Sequence, residues 1–556
     1  MEVSDGSDVA SSEMAVKNDY FEVVVAIDFG TTYSGYAFSF CVDPLQIQTK
    51  RWMAGIAGLM STKTPTSILL NPKGEFDAFG YDAERKYASL AVDGEHNTWA
   101  LFRRFKMILH NEKTLSSEST IQDVNGNSAP AMRIFAMAIR YLKNEVAREL
   151  NLQNNDIDEK NFKYVITVPA IWDDAAKQFM REAAKEAGIA SERLQLALEP
   201  EVASIWCQTD SLDSIIALAG PGTRYMIVDL GGGTADISIH ERLEGGSLKE
   251  IHKSSGGPWG GINFEVKKRS FNWESDAKCV IRFSSFLRDS CEKTCGQTLQ
   301  DRIEKLGYQS EIKVQQDKLL VSATLVCQWF EGPVTSLINH IKMLLLGPTV
   351  RNVSTIVLVG GFSESKYVQN RVQKEIQGRC CIVPNEAGLA VLKGAVAFGH
   401  FPFAVKSRVL RYTYGVCIDK PFDSTIHTEE SKFFKLQYND WRARDCFKVF
   451  AAVDDEVRYD KELVYKFAQR GTLATTVRIF RSTEMHPVYV TDPGCELLGT
   501  IELNHTIDYV TIQITFMFGQ TELMVKARLK ELGRESIAVL DCLQKGKLKE
   551  TGRGKP

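Results

Sequence analysis

The sequence lacks the features that mark several common classes of protein. Its 556 residues carry a formal net charge of −3, with 25% charged and 44% hydrophobic residues, which argues against a strongly basic nucleic-acid-binding chain and against a disordered or collagenous one. The 12 cysteines contain no CxxC pair, which argues against a zinc ribbon and a disulfide framework. A globular protein of a reducing compartment is expected, in the cytoplasm and also in the nucleus.

Targeting and membrane-spanning segments are also missing from the pattern. Residues 1–20 lack the basic start and apolar stretch of a signal peptide and are predicted to be a disordered acidic tail. The most apolar runs, such as 23–27 and 344–346, are too short to cross a bilayer. No transmembrane segment is therefore expected, and the length of the chain predicts one large two-lobed unit and a smaller domain.

The first motif that is present is a glycine turn between two β-branched runs, DFGTTYSG at 28–35. Gly30 allows the backbone to turn tightly. The N–H groups available to wrap a phosphate as an anion nest belong to Thr31, Thr32 and Tyr33. Asp28 ends the strand that enters the turn, where a carboxylate beside polyphosphate suits a hydrated magnesium ion.

A second strand-turn-strand, DLGGGTAD at 229–236, repeats this pattern. Asp229 offers another carboxylate, and Thr234 offers a hydroxyl for a terminal phosphate. The glycines that permit close backbone approach are Gly231, Gly232 and Gly233. Either turn alone is equally well explained as a plain hairpin, but the degenerate repeat predicts two lobes facing one cleft. A Walker loop, GxxxxGK[ST] between a strand and a helix, is absent from the sequence.

Helices and strands alternate around these turns. Apolar residues at helical spacing predict a helix over 131–150, and an apolar run predicts a buried strand over 162–168. A further helix is expected over 173–187, with Asp173 as its N-cap and Gly188 closing it.

Five stretches in this order resemble the actin, sugar-kinase and seventy-kilodalton heat-shock protein superfamily, and within it the heat-shock (DnaK-like) family. They are DFGTTYSG at 28–35, VITVPAIWDDAAKQFMREAAKEAGI at 165–189, LALEPEVASI at 196–205, IVDLGGGTADISI at 227–239 and IVLVGGFSES at 356–365. The sequence is similar to the divergent type-twelve branch of that family in three features: GGFSES, TYGV at 413–416 and the missing helical lid. The resemblance implies an α/β fold: a two-lobed, actin-like (ribonuclease-H-like) ATPase domain, then a β-sandwich-like domain without a helical lid.

By resemblance, the two hairpins bind ATP or ADP with Mg²⁺, which Asp28 and Asp229 hold through water. The implied phosphate contacts are Gly30, Thr31, Thr32, Tyr33, Gly231, Gly232, Gly233 and Thr234. Lys106, in FRRFKMIL, matches the lysine that reaches the terminal phosphate, and Glu199, in LEPE, matches the carboxylate that positions the attacking water. The implied catalytic set is Lys106, Glu199, Asp229 and Thr234.

Plain structural readings stay open for three of the matching residues. Lys106 also fits a solvated lysine beside two arginines. Pro169 and Lys177 match family positions linked to communication between the domains, but they also fit a strand terminator and an exposed helix lysine.

The adenosine side of the cleft matches the family least. FEVKKR resembles the helix that grips ribose and adenine, which implies Glu265, Lys268 and Arg269, and the glycine turn after a predicted strand at 355–359 supplies Gly360 and Gly361. FEVKKR follows GGPWGG almost at once, so a subdomain near 260–265 is expected to be truncated. An alternative alignment on SCEKTCG, with Glu292, restores the length but loses the lysine-arginine pair.

Short alternating strands after residue 406, at 475–480 and 510–516, indicate an all-β module. ELLGTIEL and FGQTELMVKA resemble the family's substrate domain, although a purely structural sandwich fits the pattern equally well. The linker lacks the leucine-rich run through which chaperones couple their domains. The expected divisions are an acidic tail 1–20, an actin-like nucleotide-binding domain 21–403, a linker 404–412, a β-sandwich-like domain 413–541 and a basic tail 542–556.

The expected function is that of an atypical heat-shock-type ATP-binding protein, with weak ATPase activity as a further expectation. Its expected partners are client or signalling proteins and co-chaperones, without nucleic acid. An inactive pseudo-ATPase scaffold is one alternative, suggested by the shortened segment after Gly261. An actin-like filament is another, and a small-molecule kinase of the sugar-kinase branch is a third, although no substrate-contacting constellation identifies it.

Overall fold

The computed structural model describes residues 21–54, 59–112, 115–152, 157–209, 218, 220–261, 273, 278–282, 292, 296–470, 474–504, 509–518, 521–529, 538–540 and 542–543. Helices alternate with mixed sheets in the first part of the chain, and antiparallel strands dominate after residue 404. The expected α/β class is confirmed, and the architecture agrees with an actin-like ATPase domain.

The first lobe is built on a mixed sheet. Its strands are β1 Val23–Phe29, β2 Tyr33–Phe40, β3 Gln48–Thr49, β4 Trp52–Ala54, β5 Leu59–Ser61, β6 Thr64–Pro65, β7 Ser67–Leu70, β8 Phe76–Phe79, β9 Ala100–Arg103, β10 Thr120–Gln122, β11 Ser128–Pro130, β12 Phe162–Val168 and β13 Leu194–Leu198. Its helices are α1 Gly80–Val92, α2 Ile108–Asn111, α3 Ala131–Leu152, α4 Asp174–Glu186 and α5 Glu199–Cys207. The central order is β13-β12-β1-β2-β3, and β1 is buried throughout because both faces of the sheet are covered.

The second lobe repeats this plan. Its strands are β14 Arg224–Leu230, β15 Ala235–Arg242, β16 Leu248–Gly257, β17 Cys279–Arg282, β18 Ile312–Gln315, β19 Lys318–Val321, β20 Thr355–Val359, β21 Cys380–Ile382 and β22 Val405–Val409. Its helices are α6 Leu299–Lys305, α7 Ala323–Leu345, α8 Lys366–Glu375 and α9 Ala390–His400. β14 pairs antiparallel with β15 and parallel with β20, just as β1 pairs with β2 and β12. The repeat that the two motifs predict is therefore present in the topology.

Helices α5 and α9 join the two lobes between their sheets. The apolar cluster around them includes residues of β1, β14 and β20. The helices cross so closely that a Cβ at Gly394 would overlap the carbonyl of Val202. A Cβ at Gly399 would likewise overlap the side chain of Val24. These contacts hold the strands that carry both glycine turns in a fixed relation.

The C-terminal part forms two antiparallel sheets. Its strands are β23 Thr413–Pro421, β24 Lys432–Lys435, β25 Asp440–Ala451, β26 Glu456–Arg458, β27 Glu462–Arg470, β28 Ala474–Ser482, β29 Cys495–Asn504, β30 Tyr509–Met517, β31 Met524–Leu529 and β32 Ala538–Val539. The orders are β24-β25-β23-β28-β29 and β27-β30-β31-β32, whereas β26 extends the sheet of the second lobe beyond β22. Phe450 of the first sheet packs on Tyr465 and Phe516 of the second, with ring centroids 3.8 and 4.8 Å away.

The segment expected as a linker contains β22, which pairs with β16 of the second lobe and with β26. Arg408 donates to both carboxylate oxygens of Glu201, at 2.6 and 2.7 Å. Glu250 accepts from the backbone N–H of Val409 at 2.9 Å. This segment is thus bonded to α5 and to the second lobe.

Helix α4 is bonded to the C-terminal sheets at both of its ends. Asp173 caps the helix by accepting from the N–H of Ala176, and its other oxygen accepts from Arg481 at 3.2 Å. Further along, Arg181 donates to Glu522 at 2.7 Å. The helix ends at Glu186, just before the left-handed Gly188, as the sequence predicts.

Candidate functional site

The two glycine turns face each other across the cleft. A Cβ at Gly232 would overlap the side chain of Thr32. A Cβ at Gly233 would lie 3.0 Å from Thr31 Oγ1 and would press on Met107. Glycine is therefore required at both positions for the hairpins to approach this closely. The predicted phosphate residues of the two motifs lie together, with Tyr33 at the rim and 40% exposed.

The second hairpin is supported from behind by the segment that follows β16. Gly231 N–H donates to the carbonyl of Thr234 at 3.0 Å, which closes the turn. The N–H groups of Gly260 and Gly261 donate to the carbonyls of Gly233 and Gly231, at 3.2 and 3.1 Å. The glycines of GGPWGG thus fix the shape of the phosphate turn.

Asp28 is bonded through both of its carboxylate oxygens. Lys63 Nζ lies 2.5 Å from Oδ2, and the Thr167 hydroxyl donates to Oδ1 at 3.0 Å. Burial would raise the pKa of Asp28, but the Lys63 ammonium and the hydroxyl outweigh it and hold the pKa below its usual value. Asp28 is therefore a fully ionised, already paired carboxylate.

Asp229 lies in a different environment. Gly360 packs so closely on it that a Cβ there would overlap Asp229 Oδ1, and the φ of +84° at Gly360 also favours glycine. Burial raises the pKa of Asp229 well above its usual value, and the nearby carboxylates Glu199 and Asp236 raise it further. Lys63 offsets this shift only in part, whereas it lies within bonding distance of Asp28.

The two predicted hydrolysis residues form a buried pair. Lys106 Nζ lies 2.9 Å from Glu199 Oε1 and 4.9 Å from the centre of the Trp172 ring. Glu199 is the first residue of α5, directly after β13. Burial raises the pKa of Glu199 to about 7, although Lys106 opposes the shift. Lys106 is 3% exposed and so is not a solvated surface lysine.

Sequence reasoning missed three polar residues of this site. Asp236 is 1% exposed, accepts from the Thr234 hydroxyl at 3.1 Å and accepts from the N–H of Ile171 at 3.0 Å. It is the last residue of DLGGGTAD, directly across the hairpin from Asp229 in the strand register, so the motif contained the signal. Thr167 lies in the stretch 165–189 that carries the resemblance but was not singled out, and Lys63 lies outside all five stretches.

The chemistry of the site fits a cation. Four carboxylates, those of Asp28, Glu199, Asp229 and Asp236, face two ammonium groups, those of Lys63 and Lys106. Burial is the main cause of the raised pKa of Asp229, and the neighbouring carboxylates Glu199 and Asp236 add to it, so a cation beside them would be favourable. Within the described ranges no three acidic, histidine or cysteine side chains converge on one point. Carboxylate oxygens are donors that suit a hard cation such as magnesium.

The adenosine-side predictions divide into two groups. Glu265, Lys268 and Arg269 lie outside the described residues. Gly360 and Gly361 follow β20, so they stand beside the second hairpin, as the sequence order predicts. Glu292, the residue of the alternative alignment, accepts from the N–H of Leu299 at the start of α6. Its role beside the adenosine stays a prediction.

Pro169 and Lys177 lie between the site and the C-terminal sheets. Pro169 follows β12 and precedes the turn whose Ile171 N–H reaches the phosphate hairpin. Lys177 lines a cavity with Arg411 and Tyr412, and burial lowers its pKa. Lys177 is therefore half-buried at the junction rather than a plain exposed helix lysine.

Comparison with known proteins gives the same family. The model of the family described as Hsp70 protein matches residues 85–401. Human heat shock 70 kDa protein 12B is 32% identical, over 87% of this chain and 84% of its own length. The chain belongs to the Hsp70 family. Mouse and human heat shock 70 kDa protein 12A are each 33% identical, over 91% of this chain and 89% of their own. The predicted resemblance to the type-twelve branch is confirmed.

Membership of the Hsp70 family also indicates a class of cofactor. The Hsp70 family binds ATP and ADP with Mg²⁺, which agrees with a cleft built from two phosphate hairpins and an acidic cluster. Over the ranges that the structure describes, no helix has the length and apolar character needed to cross a membrane.

Proposed function

We propose that this Hsp70-family chain binds ATP and ADP with Mg²⁺ between its two glycine hairpins, hydrolyses ATP slowly and engages client or signalling proteins through its C-terminal sheets. The observation that carries the nucleotide part is the close approach of the two turns, Gly232 to Thr32 and Gly233 to Thr31. Two glycine turns held this close can present backbone N–H groups from both sides to one polyphosphate chain.

The roles in hydrolysis follow from placement. Thr234 and the hairpin N–H groups bind and orient the phosphates, while Lys106 offsets the charge that develops on the terminal phosphate. Glu199 positions the attacking water, for which orientation matters more than basicity. When bound, the magnesium ion neutralises charge on the phosphates, and Asp28 and Asp229 are the residues that would hold it through water.

The nucleotide proposal is tested by calorimetry. ATP, ADP and GTP are titrated into the full chain with Mg²⁺, and binding of one ATP or ADP per chain is expected. Asp229→Asn and Thr234→Val are expected to weaken ATP binding by about tenfold or more, since each removes a charged or hydrogen-bonding contact. Lys86→Met, at an exposed ion pair with Asp77, is the control and should bind like the wild type. Absence of any nucleotide binding by the wild type would contradict the proposal.

A pseudo-ATPase scaffold is the second candidate function. One observation favours it: both lysines of the cleft are held by carboxylates, Lys63 by Asp28 and Lys106 by Glu199. Single-turnover measurements with labelled ATP separate the two functions. Phosphate release that Glu199→Ala abolishes supports a weak ATPase, whereas ATP that stays intact on the wild-type chain supports the scaffold.

The client proposal rests on exposed aromatic residues of one sheet edge. Among the described strands β24 pairs only with β25, so it lies at the edge of its sheet. Phe434 and Trp441, opposite each other in this pair, are 42% and 51% exposed, and Leu436 between the strands is 85% exposed. Together with Tyr438 they form the aromatic hairpin. Exposed aromatic and aliphatic side chains beside unpaired backbone groups suit an extended, apolar polypeptide.

Binding of a fluorescent, unfolded polypeptide tests the client proposal. The double variant Phe434→Ser and Trp441→Ser is expected to lose about tenfold or more in affinity, because buried aromatic anchors dominate such contacts. Val464→Ser, at another exposed position of the C-terminal sheets, is the matched control. Equal affinity of the double variant and the wild type would contradict a client site at the aromatic hairpin.

The contacts of α4 support coupling between the two parts. Asp236 of the phosphate hairpin accepts from Ile171, and two residues later Asp173 accepts from Arg481 of the C-terminal sheets. ATP is therefore expected to change the affinity for the unfolded polypeptide by about fivefold or more. Arg481→Met should reduce that change, and a change of the same size in wild type and variant would exclude this route.

A further inference from the structure

We infer that Lys63 is a built-in counter-ion of the phosphate site: its ammonium group supplies part of the positive charge that a bound nucleotide otherwise draws from magnesium. The inference rests on the proposed nucleotide function and names a residue outside the predicted site. Its consequence is nucleotide binding that depends only weakly on a divalent cation.

The position of Lys63 is fixed by the first hairpin. Lys63 immediately precedes β6, which pairs with β2. Its stem passes over Gly35 of β2, where an added Cβ would lie 3.1 Å from Lys63 Cγ. Gly35 is the register partner of Asp28, so the ammonium group reaches Asp28 directly across the hairpin. The missing side chain at Gly35 thus provides the path by which the lysine enters the cleft.

The local bonds hold the lysine in place from both ends. The Lys63 N–H donates to the Ser61 hydroxyl at 3.3 Å, and that hydroxyl donates to the Lys63 carbonyl at 2.7 Å. At the other end Nζ lies 2.5 Å from Asp28 Oδ2, and only 19% of the side chain is exposed. A lysine fixed in this way loses little further freedom when a phosphate binds.

Magnesium would have to share Asp28 with this ammonium group. Lys63 engages Oδ2 and Thr167 engages Oδ1, so both oxygens of Asp28 are already bonded. Lys106, the other cation of the cleft, is held by Glu199 at 2.9 Å. Lys63 is therefore the cation that is paired with Asp28, the carboxylate proposed to hold magnesium at the first phosphate turn. Its ammonium group offsets the charge of Asp28, which would otherwise repel the phosphates, whether or not a divalent ion is present.

The experiment compares ATP affinity in excess Mg²⁺ and in EDTA. Calorimetric Kd values are measured for the wild type, Lys63→Met, Lys63→Arg and Lys86→Met, the last being the same chemical change at an exposed ion pair with Asp77. EDTA is expected to weaken ATP binding less than about tenfold in the wild type and about a hundredfold or more in Lys63→Met. Lys63→Arg and Lys86→Met should behave like the wild type.

A second variant keeps the inference testable if Lys63→Met does not fold. Gly35→Val leaves every charge in place but fills the path of the Lys63 stem, and it should also increase the loss caused by EDTA. Circular dichroism and urea unfolding establish that each variant is folded.

Two results overturn the inference, and they are distinguishable. If EDTA weakens ATP binding equally in wild type and in folded Lys63→Met and Gly35→Val, Lys63 is no counter-ion, while the nucleotide function stands. If the wild type binds no ATP in either condition, the proposed function fails and this inference fails with it.

Discussion

The two phosphate hairpins have the same topology but opposite electrostatics. In the first, Asp28 stands across from Gly35, which leaves room for Lys63, and the ammonium group keeps the pKa of Asp28 low. In the second, Asp229 stands across from Asp236, and burial with neighbouring carboxylates keeps the pKa of Asp229 high. The repeat therefore conserves backbone geometry for binding phosphate, while the charges beneath it divide the cleft into a neutralised side and an acidic side.

The largest expected contrast is in stability. Asp28→Asn leaves the Lys63 ammonium buried without its counter-charge, so the free energy of unfolding without nucleotide should fall by about 3–5 kcal/mol. Asp229→Asn removes a charge from a crowded acidic cluster, so it should raise that free energy by about 1 kcal/mol. Urea unfolding followed by tryptophan fluorescence measures both. Changes of the same sign in the two variants would remove the electrostatic difference between the hairpins.

The acidic side also predicts a pH dependence. The pKa of Glu199 is raised from 4.5 to about 7, so the folded chain holds a proton that the unfolded chain releases, and the free energy of unfolding should fall as pH rises between these values. The fall should reach about 3 kcal/mol. Burial likewise raises the pKa of Glu250 to about 7, so urea unfolding is followed against pH in a Glu250→Gln background.

The first hairpin should show the opposite sign. The lowered pKa of Asp28 makes its contribution to stability present above pH 3.8 and lost as the pH falls through its folded pKa. In the Glu250→Gln background, adding Glu199→Gln should reduce the slope of the curve between pH 4.5 and 7, while Asp229 and Asp236, whose pKa values are also raised, still contribute to it. A slope unchanged by that substitution would place the titrating groups elsewhere.

The smallest effect concerns the backbone geometry that the hairpins share. Gly232→Ala should lower the free energy of unfolding by about 1–3 kcal/mol, because the new methyl group overlaps Thr32. Gly332→Ala, inside α7 with no atom within 4 Å of the added Cβ, is the matched control and should raise it by about 0.5–1 kcal/mol. A Gly232→Ala variant as stable as the wild type would mean that the turns do not touch in solution.

Much of the fold could be predicted from local pattern. The strand expected at 162–168 is Phe162–Val168, since its apolar run is buried on both faces. The helix expected over 173–187 is Asp174–Glu186, since Asp173 and Gly188 signal its ends. Where capping residues or continuous apolar runs exist, short-range physics decides the element.

The missed features depend on distant parts of the chain. Lys63 precedes a two-residue strand in no recognised motif, and its role arises only because Gly35 opens a path to Asp28. Lys177 is spaced like a surface residue of α4, but the C-terminal sheets cover it. Strand β22 was expected to be a linker, because pairing with β16 and β26 leaves no signal in its own sequence. Such features need the tertiary contacts to be known.

The central claim is that both hairpins close on one nucleotide, and hydrogen exchange tests it most directly. Backbone amide exchange at 30–33 and 231–234 is measured by mass spectrometry in the full chain, without nucleotide and with Mg-ATP at saturating concentration. Slower exchange in both turns is the predicted result. Protection of one turn alone, or of neither, contradicts a shared phosphate site.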